Sequence, residues 1–287
     1  MITITTKKIT TTIIQLLLAI AGILCLSSLP SLFKGMKVDV EGYFTSLLEL
    51  VGNVLNIANI TYGQNRPLFP EVFRFYWESL SLFMLALLLS TVCALILTYI
   101  IVYFFRNHLK RMKFFLVLFE SIPDLFIIMC FQIFVVALFQ ATGIVVFNIA
   151  TTMHQKSMLM PILCLSIPPT IMLTRIFLVQ VEAELSKDYV TYARAKGLSF
   201  YHIFTRHILR NVLFTMFHYS KTIVWFMFSN LLMIEYLFNV PGIVYFIFKY
   251  PFPEVFVVVL LLLYVPFFIL YKAYDIFVPS VMKGEGV

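Results

Sequence analysis

The chain has 287 residues, of which 61% are apolar and 12% are charged. A soluble globular protein carries roughly 25% charged residues, so the composition excludes a soluble core and indicates a polytopic membrane protein. The formal net charge of +7 does not indicate nucleic-acid binding, because no basic patch lies on a soluble domain.

Six apolar segments are long enough to cross a bilayer, whose hydrocarbon core of roughly 30 Å takes about 20 helical residues. Each segment predicts a helix, because backbone polar groups in lipid must pair within their own segment. The predicted spans are residues 9–33, 76–105, 114–140, 158–179, 212–238 and 255–274. The fold class that follows is all-α, with six transmembrane helices.

The segments between the spans predict their own structure. Residues 34–75 form a long external loop, in which apolar residues at mixed three- and four-residue spacing predict a short amphipathic helix over 43–60. Loop 106–113 is short and basic, and loop 141–157 is polar and external. If the N-terminus is cytoplasmic, most of the 21 Lys and Arg residues fall on the cytoplasmic side, which predicts that both termini lie there.

Prolines mark irregular points in the second half of the chain. Pro123 lies in the third span, and Pro168-Pro169 predicts a kink in the fourth, because proline removes a backbone donor. The turn sequence Asn239-Val240-Pro241-Gly242 follows the fifth span. Residues 243–250 are too short to span and predict a re-entrant or surface helix at the outer face.

A polar, basic segment at 187–211 separates the fourth and fifth spans. Ser186 is a plausible N-cap for a helix that reaches Lys196, and Gly197 fits a left-handed position directly after that helix. A second short helix over 199–207 follows, with Ser199 as its cap. The sequence therefore predicts a helix-turn-helix that lies parallel to the membrane.

Tyr189, Ala193 and Lys196 fall on one face of the first helix, at positions i, i+4 and i+7. A small residue lets a partner approach closely, and an aromatic residue is a common anchor of interfaces. The alternative is a solvated loop whose positive charge only sets the topology. Topology explains the cations but not the tyrosine, the small residue and the glycine together, so we favour docking of a cytoplasmic partner.

The same segment resembles the cytoplasmic coupling loop of bacterial ABC importer permeases, and most closely that of the oligopeptide/dipeptide/nickel branch. The matching elements are Asp188-Tyr189-Val190, the run ARAKGL at 193–198, Arg206-His207 and Arg210-Asn211. Further matches are Ser121-Ile122-Pro123, Pro161, Glu235, Phe238 and Pro241-Gly242. The resemblance covers roughly residues 79–275. It departs from the branch in the first quarter, which has no P-G-D-P-like element, and at Val244, where a glycine is usual.

This resemblance implies the type I ABC importer permease fold. Residues 1–33 would be the cytoplasmic N-terminus and first span, 34–75 the external loop, and 76–287 the permease core, with the coupling loop at 182–211. The implied ATPase-docking residues are Asp188, Tyr189, Ala193, Arg194, Lys196, Gly197 and Leu198. Multi-pass insertion in the bacterial cytoplasmic membrane is also implied.

The resemblance also implies a set of partners. They are a second homologous permease, two cytoplasmic ATPases that bind ATP and Mg²⁺, and an external solute-binding lipoprotein. The chain itself would bind no cofactor and would not be an enzyme. Peptides are the favoured substrate, and nickel or metal chelates are the alternative within the family. A non-transporting membrane scaffold or signalling subunit is an alternative of a different class.

Ionisable residues at membrane depth are costly and by default mark a pathway or a paired site. Glu120 and Asp124 are four residues apart in the third predicted span, and Lys221 lies in the fifth. We expect the two carboxylates on one helix face, along the translocation path or at a helix interface, with Lys221 as a partner and Glu235 as a further path residue. The alternative is that they lie near the headgroups and snorkel.

Sequence signatures of catalysis are missing. The chain has no H-E-x-x-H, no P-loop sequence and no G-x-S-x-G, and its four cysteines form no C-x-x-C pair. We therefore predict no metal site and no ATP site in this chain. An intramembrane protease or lipid-modifying enzyme would need ionisable residues at matched depth on two spans, and the sequence offers a carboxylate pair on only one.

Overall fold

The computed structural model describes residues 2–34, 37–55, 60–62, 66–143 and 157–277. Its main helices in chain order are α1 (Ile2–Ser28), α2 (Val40–Leu55), α3 (Glu71–Phe104), α4 (Leu109–Glu120), α5 (Asp124–Thr142), α6 (Leu159–Leu185), α7 (Asp188–Ala195), α8 (Phe200–Ile203), α9 (Leu209–Leu237), α10 (Ile243–Lys249) and α11 (Pro253–Phe277). The strands that it describes form two antiparallel pairs, Phe33–Lys34 with Lys37–Val38 and Thr61–Tyr62 with Arg66–Pro67. The all-α prediction is confirmed.

Five helices of the described ranges are long and apolar enough to cross a membrane. They are α3, α5, α6, most of α11, and the last part of α1 with the 3₁₀ turn Leu29–Leu32 that continues it. The remaining predicted span, the fifth, corresponds to α9, which has 29 residues and carries Arg210, Lys221 and Glu235. The expected spans are thus present as helices, with bounds shifted by several residues.

The third span is not the continuous helix over 114–140 that the sequence predicts. α4 ends at Glu120 and α5 begins at Asp124, so the chain breaks at Ser121-Ile122-Pro123. Proline has no N–H to donate and disfavours helical geometry in the residue before it, which explains the break. α4 has 12 residues and is only about 18 Å long, so α5 alone is long enough to cross the bilayer.

One compact unit contains the chain up to Ser79 and the segment from Pro241. In it α1 packs against α11 and α2, around a core of Leu24, Leu50 and Val257. The predicted amphipathic helix is α2, and Asp39 caps it by accepting a 2.8 Å hydrogen bond from the Gly42 N–H.

The short helix α10 confirms the expectation of a non-spanning helix over 243–250. Its first N–H, at Ile243, donates a 2.6 Å hydrogen bond to the Ser79 hydroxyl. The Tyr62 ring contacts the rings of Phe246 and Tyr250 at centroid distances of 5.6 and 4.9 Å. These contacts hold the second strand pair and α10 together within the same unit.

The second unit contains residues from Leu80 to Val240. Its central helix is α6, which packs against α9 and α4 and is the most buried of the candidate spans. The helix continues through Pro168 and Pro169, and both prolines are buried. This unit holds both the coupling loop and the carboxylates of the third predicted span.

Two predicted segments lie partly or wholly beyond these ranges. Most of the external loop over 141–157 and the chain after 277 lie outside the described residues.

Candidate functional site

The first helix of the coupling loop is α7, which begins at Asp188. Lys187, not Ser186, occupies the N-cap position and has extended geometry. The prediction that Ser186 caps the helix is wrong, because its hydroxyl donates a 3.1 Å hydrogen bond back to the Glu182 carbonyl at the end of α6. Asp188 lies in the first turn of α7, where a carboxylate interacts favourably with the helix dipole.

Gly197 ends α7 as predicted, with a left-handed φ of 75°. The Gly197 N–H donates to the Arg194 carbonyl at 2.9 Å, and the Leu198 N–H donates to the Ala193 carbonyl at 3.3 Å. These two bonds form a Schellman motif, which satisfies carbonyls that the end of the helix would otherwise leave unpaired. The glycine is therefore required by the backbone, since other residues adopt this conformation at a cost.

The second helix of the coupling loop differs from the prediction. Ser199 does cap it, accepting a 3.4 Å hydrogen bond from the His202 N–H. The predicted separate helix over 199–207 is wrong, because α8 continues through a π-helical turn, Phe204–Ile208, directly into α9. The residues from α8 to α9 therefore form one uninterrupted helical rod.

Glu184 ties three elements together at the base of the coupling loop. One carboxylate oxygen, Oε2, accepts hydrogen bonds from the Tyr189 hydroxyl at 2.6 Å and from Asn211 Nδ2 at 3.2 Å. The other, Oε1, accepts from Lys187 Nζ at 2.6 Å. Glu184 lies on α6, Tyr189 on α7 and Asn211 on α9, so this Glu184 cluster fixes α7 relative to both spans.

Ring contacts connect the loop to the second span. The ring of Tyr99, on α3, lies 5.2 Å from that of Phe204 and 6.1 Å from that of Phe200. Tyr103 lies one turn further along α3 and contacts Phe200 at 5.9 Å. The first part of the helical rod is therefore held by the ring contacts of Phe200 and Phe204 and, further along, by the contact of Asn211 with Glu184.

The face of α7 that the sequence offered for docking is turned partly inward. Ala193 is 6% exposed and Val190 is fully buried, while Tyr189 is half-buried and bonded to Glu184. Tyr189 and Ala193 thus form part of the seat of α7 on its own chain, and their role in docking an ATPase stays a prediction. Thr191 and Ala195 are exposed as well; we give the name coupling surface to the exposed residues Asp188, Tyr192, Arg194, Lys196, Gly197 and Leu198.

The coupling surface is basic and partly aromatic. Lys196 Nζ lies 4.5 Å above the centroid of the Tyr192 ring, a cation–π contact at an exposed site. Partial burial lowers the pKa of Arg194 below its ordinary value, and the nearby cation Arg106 lowers it further. Arg194 and Arg106 are near enough to affect each other, and neighbouring cations at a surface favour an acidic partner.

Tyr189 has a strongly perturbed hydroxyl. Burial, together with the hydrogen bond to the Glu184 carboxylate, raises the pKa of Tyr189 to about 12. The neutral phenol is the form that donates this bond, so its stabilising effect is complete below pH 10 and is lost as the pH rises through 12. At physiological pH the bond is therefore always available.

A cavity of about 420 Å³ lies in the second unit, at the break between α4 and α5. Its lining includes Glu120, Asp124 and Arg175. Arg175 Nε lies 2.8 Å from Glu120 Oε2, and Asn230 Nδ2 donates a 2.9 Å hydrogen bond to Asp124 Oδ2. The two carboxylates do meet at one site, but they sit on two helices and not on one helix face, because Pro123 separates them.

The other expected path residues lie elsewhere. Lys221 is exposed and Glu235 is fully buried, and neither lines this cavity. The contacts of Glu120 and Asp124 that the structure describes are with Arg175 and Asn230, and not with Lys221. A role for any of the four residues in translocation remains a prediction.

Two ion pairs connect α4 with α6. Lys113 pairs with Glu182, and Glu120 pairs with Arg175. The two pairs lie two helical turns apart along each helix, and the helices run antiparallel. α4 supplies the cation of the first pair and the anion of the second. A slip of one helix along the other would bring like charges together, so the two pairs fix the relative register of α4 and α6.

Sequence reasoning missed Glu184 and Arg175, and it noted Asn230 only as a polar side chain of the fifth span. Arg175 lies well inside α6, where the rule applied to Glu120 would have singled it out. Glu184 carries no local signal, since its importance depends on which helices lie beside it.

Comparisons with known proteins agree with these observations. Residues 110–283, more than half of the chain, match the family described as "Binding-protein-dependent transport system inner membrane component". The dipeptide transport system permease protein of Lactococcus lactis subsp. cremoris is 35% identical over 85 residues, which is 30% of this chain and 28% of that protein.

Two further dipeptide transport system permease proteins match similarly. That of Bacillus subtilis is 30% identical over 102 residues, covering 36% of this chain and 33% of its own length. That of Haemophilus influenzae is 34% identical over 88 residues, covering 31% and 26%. The matched part thus spans only about a third or less of each relative. The expected resemblance to ABC importer permeases is confirmed, and the chain belongs to the family of binding-protein-dependent transport system inner membrane components.

Proposed function

We propose that the chain is one of two permease subunits of an ABC importer for short peptides, and that its coupling loop transmits the motion of cytoplasmic ATPases to the spans. The observation that carries this proposal is the construction of the loop. Its exposed coupling surface is mounted on a helix that the Glu184 cluster joins to α6 and α9. A loop with a purely topological role would need none of these contacts.

The mechanism follows from the rigidity of that connection. ATP and Mg²⁺ bind to the ATPases, which close and displace α7. Tyr189 and Asn211 pass the displacement to α6 and α9 through Glu184, and the helical rod from α8 carries it along the fifth span. Energetically, ATP biases a two-state equilibrium of the spans through differential contacts at the coupling surface.

The substrate proposal rests on similarity. The three relatives described above are dipeptide permeases, so we propose a dipeptide or short peptide as the transported solute, delivered by an external solute-binding protein. The orientation, with both termini cytoplasmic, is part of the same proposal and follows from the distribution of Lys and Arg.

The experiment is purification of the chain from its native membrane under mild conditions, followed by identification of the proteins that accompany it. We expect an ATPase pair, a second permease and a solute-binding protein. The complex is then reconstituted in vesicles, and uptake of labelled alanyl-alanine is measured with ATP and with a non-hydrolysable analogue. ATP hydrolysis without uptake of any peptide would favour a scaffold or signalling subunit and contradict the proposal.

A further inference from the structure

The cavity at the α4–α5 break holds charges of both signs. We propose that it is a binding subsite for a small zwitterion, in which Glu120 and Asp124 bind an ammonium group and Arg175 binds a carboxylate. The inference rests on the proposed function as a solute path, and it adds the ligand chemistry and the residues that recognise it.

The Glu120–Arg175 pair is poorly satisfied as it stands. Glu120 Oε1 is buried without a hydrogen-bond partner among the described residues. Arg175 Nε lies 2.8 Å from Oε2, yet its N–H makes no hydrogen bond with that oxygen or with any other described group. The Glu120 and Arg175 side chains are 23% and 35% exposed, so the burial concerns these two atoms and not the whole groups. A buried polar atom without a hydrogen bond is costly, so both atoms gain if a ligand supplies the missing partners.

The second carboxylate is only partly satisfied as well. Asp124 Oδ2 accepts a hydrogen bond from the neutral amide of Asn230, which does not compensate its charge. Two carboxylates and one guanidinium line the cavity, so an ammonium group is attracted to the pair of carboxylates.

A simple cation satisfies the cavity less completely than a zwitterion. Bound at Asp124, it would leave Glu120 Oε1 and Arg175 Nε without hydrogen-bond partners. Bound at Glu120, it would leave Arg175 without a counter-charge inside the membrane, where unpaired charges are costly. A molecule that carries an ammonium and a carboxylate replaces both halves of the ion pair at once. Guanidinium groups also bind carboxylates well, because their N–H groups form a fork that matches two carboxylate oxygens.

The size and walls of the cavity fit such a ligand. Its volume of about 420 Å³ lies in the usual range for small-molecule sites, about 300–1,000 Å³. Apolar side chains, among them Ile127, Ile171, Met172 and Phe226, form much of the remaining lining. Apolar walls discriminate weakly among side chains of different size, so we expect the charged groups to fix the ends and the walls to tolerate variation between them.

The Lys113–Glu182 pair provides a matched control. It joins the same two helices with the same kind of charges, but neither residue lines the cavity. Substitutions there perturb the packing of α4 on α6 without touching the proposed subsite.

The test measures equilibrium binding of labelled alanyl-alanine to the complete importer in lipid nanodiscs, with the solute-binding protein omitted so that its own specificity does not contribute. Two competitors each lack one charge: N-acetyl-alanyl-alanine has no ammonium, and alanyl-alanine amide has no carboxylate. For the parent protein we expect each competitor to bind about tenfold to 100-fold more weakly than alanyl-alanine, the usual scale of a bond to a charged group.

Each variant should lose the ability to recognise one end only. Arg175→Gln should no longer distinguish alanyl-alanine from its amide, while Glu120→Gln should no longer distinguish it from the acetylated peptide. Lys113→Gln should retain both preferences. A merely structural role of the ion pair cannot produce this matching between residue and ligand end.

Three results would overturn the subsite: no measurable binding to the parent protein, equal loss of both preferences in each variant, or the same loss in Lys113→Gln. These outcomes are separable from failure of the proposed function. If the importer takes up peptide with ATP while the variants show no end-specific loss, the permease function stands and the subsite is wrong.

Discussion

Substitution of Gly197 tests whether the geometry of the coupling loop carries the coupling. The residue has a φ of 75°, and a Cβ atom built on it meets nothing within 4 Å. The cost of Gly197→Ala therefore comes from the backbone alone, and is about 1–2 kcal/mol for a left-handed L-residue. Valine should cost more because it is β-branched, and asparagine less because it tolerates this conformation.

A penalty of this size is large for a local turn. About 1.4 kcal/mol changes an equilibrium constant tenfold, so the ratio of closed to open turns falls by roughly that factor for alanine. The assay measures ATP-dependent uptake of alanyl-alanine and ATP hydrolysis in the same vesicles. We expect the ratio of solute taken up to ATP hydrolysed to fall in the order glycine, asparagine, alanine, valine.

Gly143 supplies the matched control. It ends α5 with a φ of 69°, its own Cβ would also meet nothing within 4 Å, and it lies far along the chain from the coupling loop. Gly143→Val carries the same kind of backbone cost but should leave the ratio unchanged. The reasoning fails if Gly197→Val couples as well as glycine, if asparagine is as harmful as valine, or if Gly143→Val is equally uncoupled.

Three further predictions concern contacts within the second unit. Tyr189→Phe removes one hydrogen-bond donor to the Glu184 carboxylate and should weaken the attachment of α7 by about 1–2 kcal/mol. It should lower the ratio of solute taken up to ATP hydrolysed while the complex still assembles, and full coupling in this variant would contradict transmission of motion through the Glu184 cluster. Lys113→Glu should lower the thermal unfolding temperature of the detergent-solubilised complex, and adding Glu182→Lys should restore it by re-forming the ion pair. The pair is only partly buried, so its contribution is about 1 kcal/mol or less. Absence of this restoration would argue that the pair does not fix the register of α4 and α6. Val190→Ala should lower stability by about 1–3 kcal/mol, because this side chain is fully buried. It should speed proteolysis of the coupling loop, whereas Thr191→Ala, at an exposed position, should not. Equal rates of proteolysis would show that Val190 does not hold α7 on its own chain.

Local features of this protein could be predicted from the sequence because their causes lie within a few residues. Span length follows from the thickness of the hydrocarbon core. Gly197 and Ser199 act on backbone groups within three or four positions, and the structure confirms both. Where local reasoning failed, as with Ser186 and the separate second helix, two local geometries competed and the contacts made by the neighbouring spans decided between them.

The sequence by itself determined an all-α membrane protein, its family and the place of the basic segment that we propose as its coupling loop. Only the tertiary structure decided which side of α7 faces its own chain, and that Glu184 joins three elements. It also decided that Glu120 meets Arg175, which lies 55 positions further along the chain. The physical reason is that a side chain's partner across helices depends on the packing and rotation of both helices, and neither is encoded at the position of the residue itself.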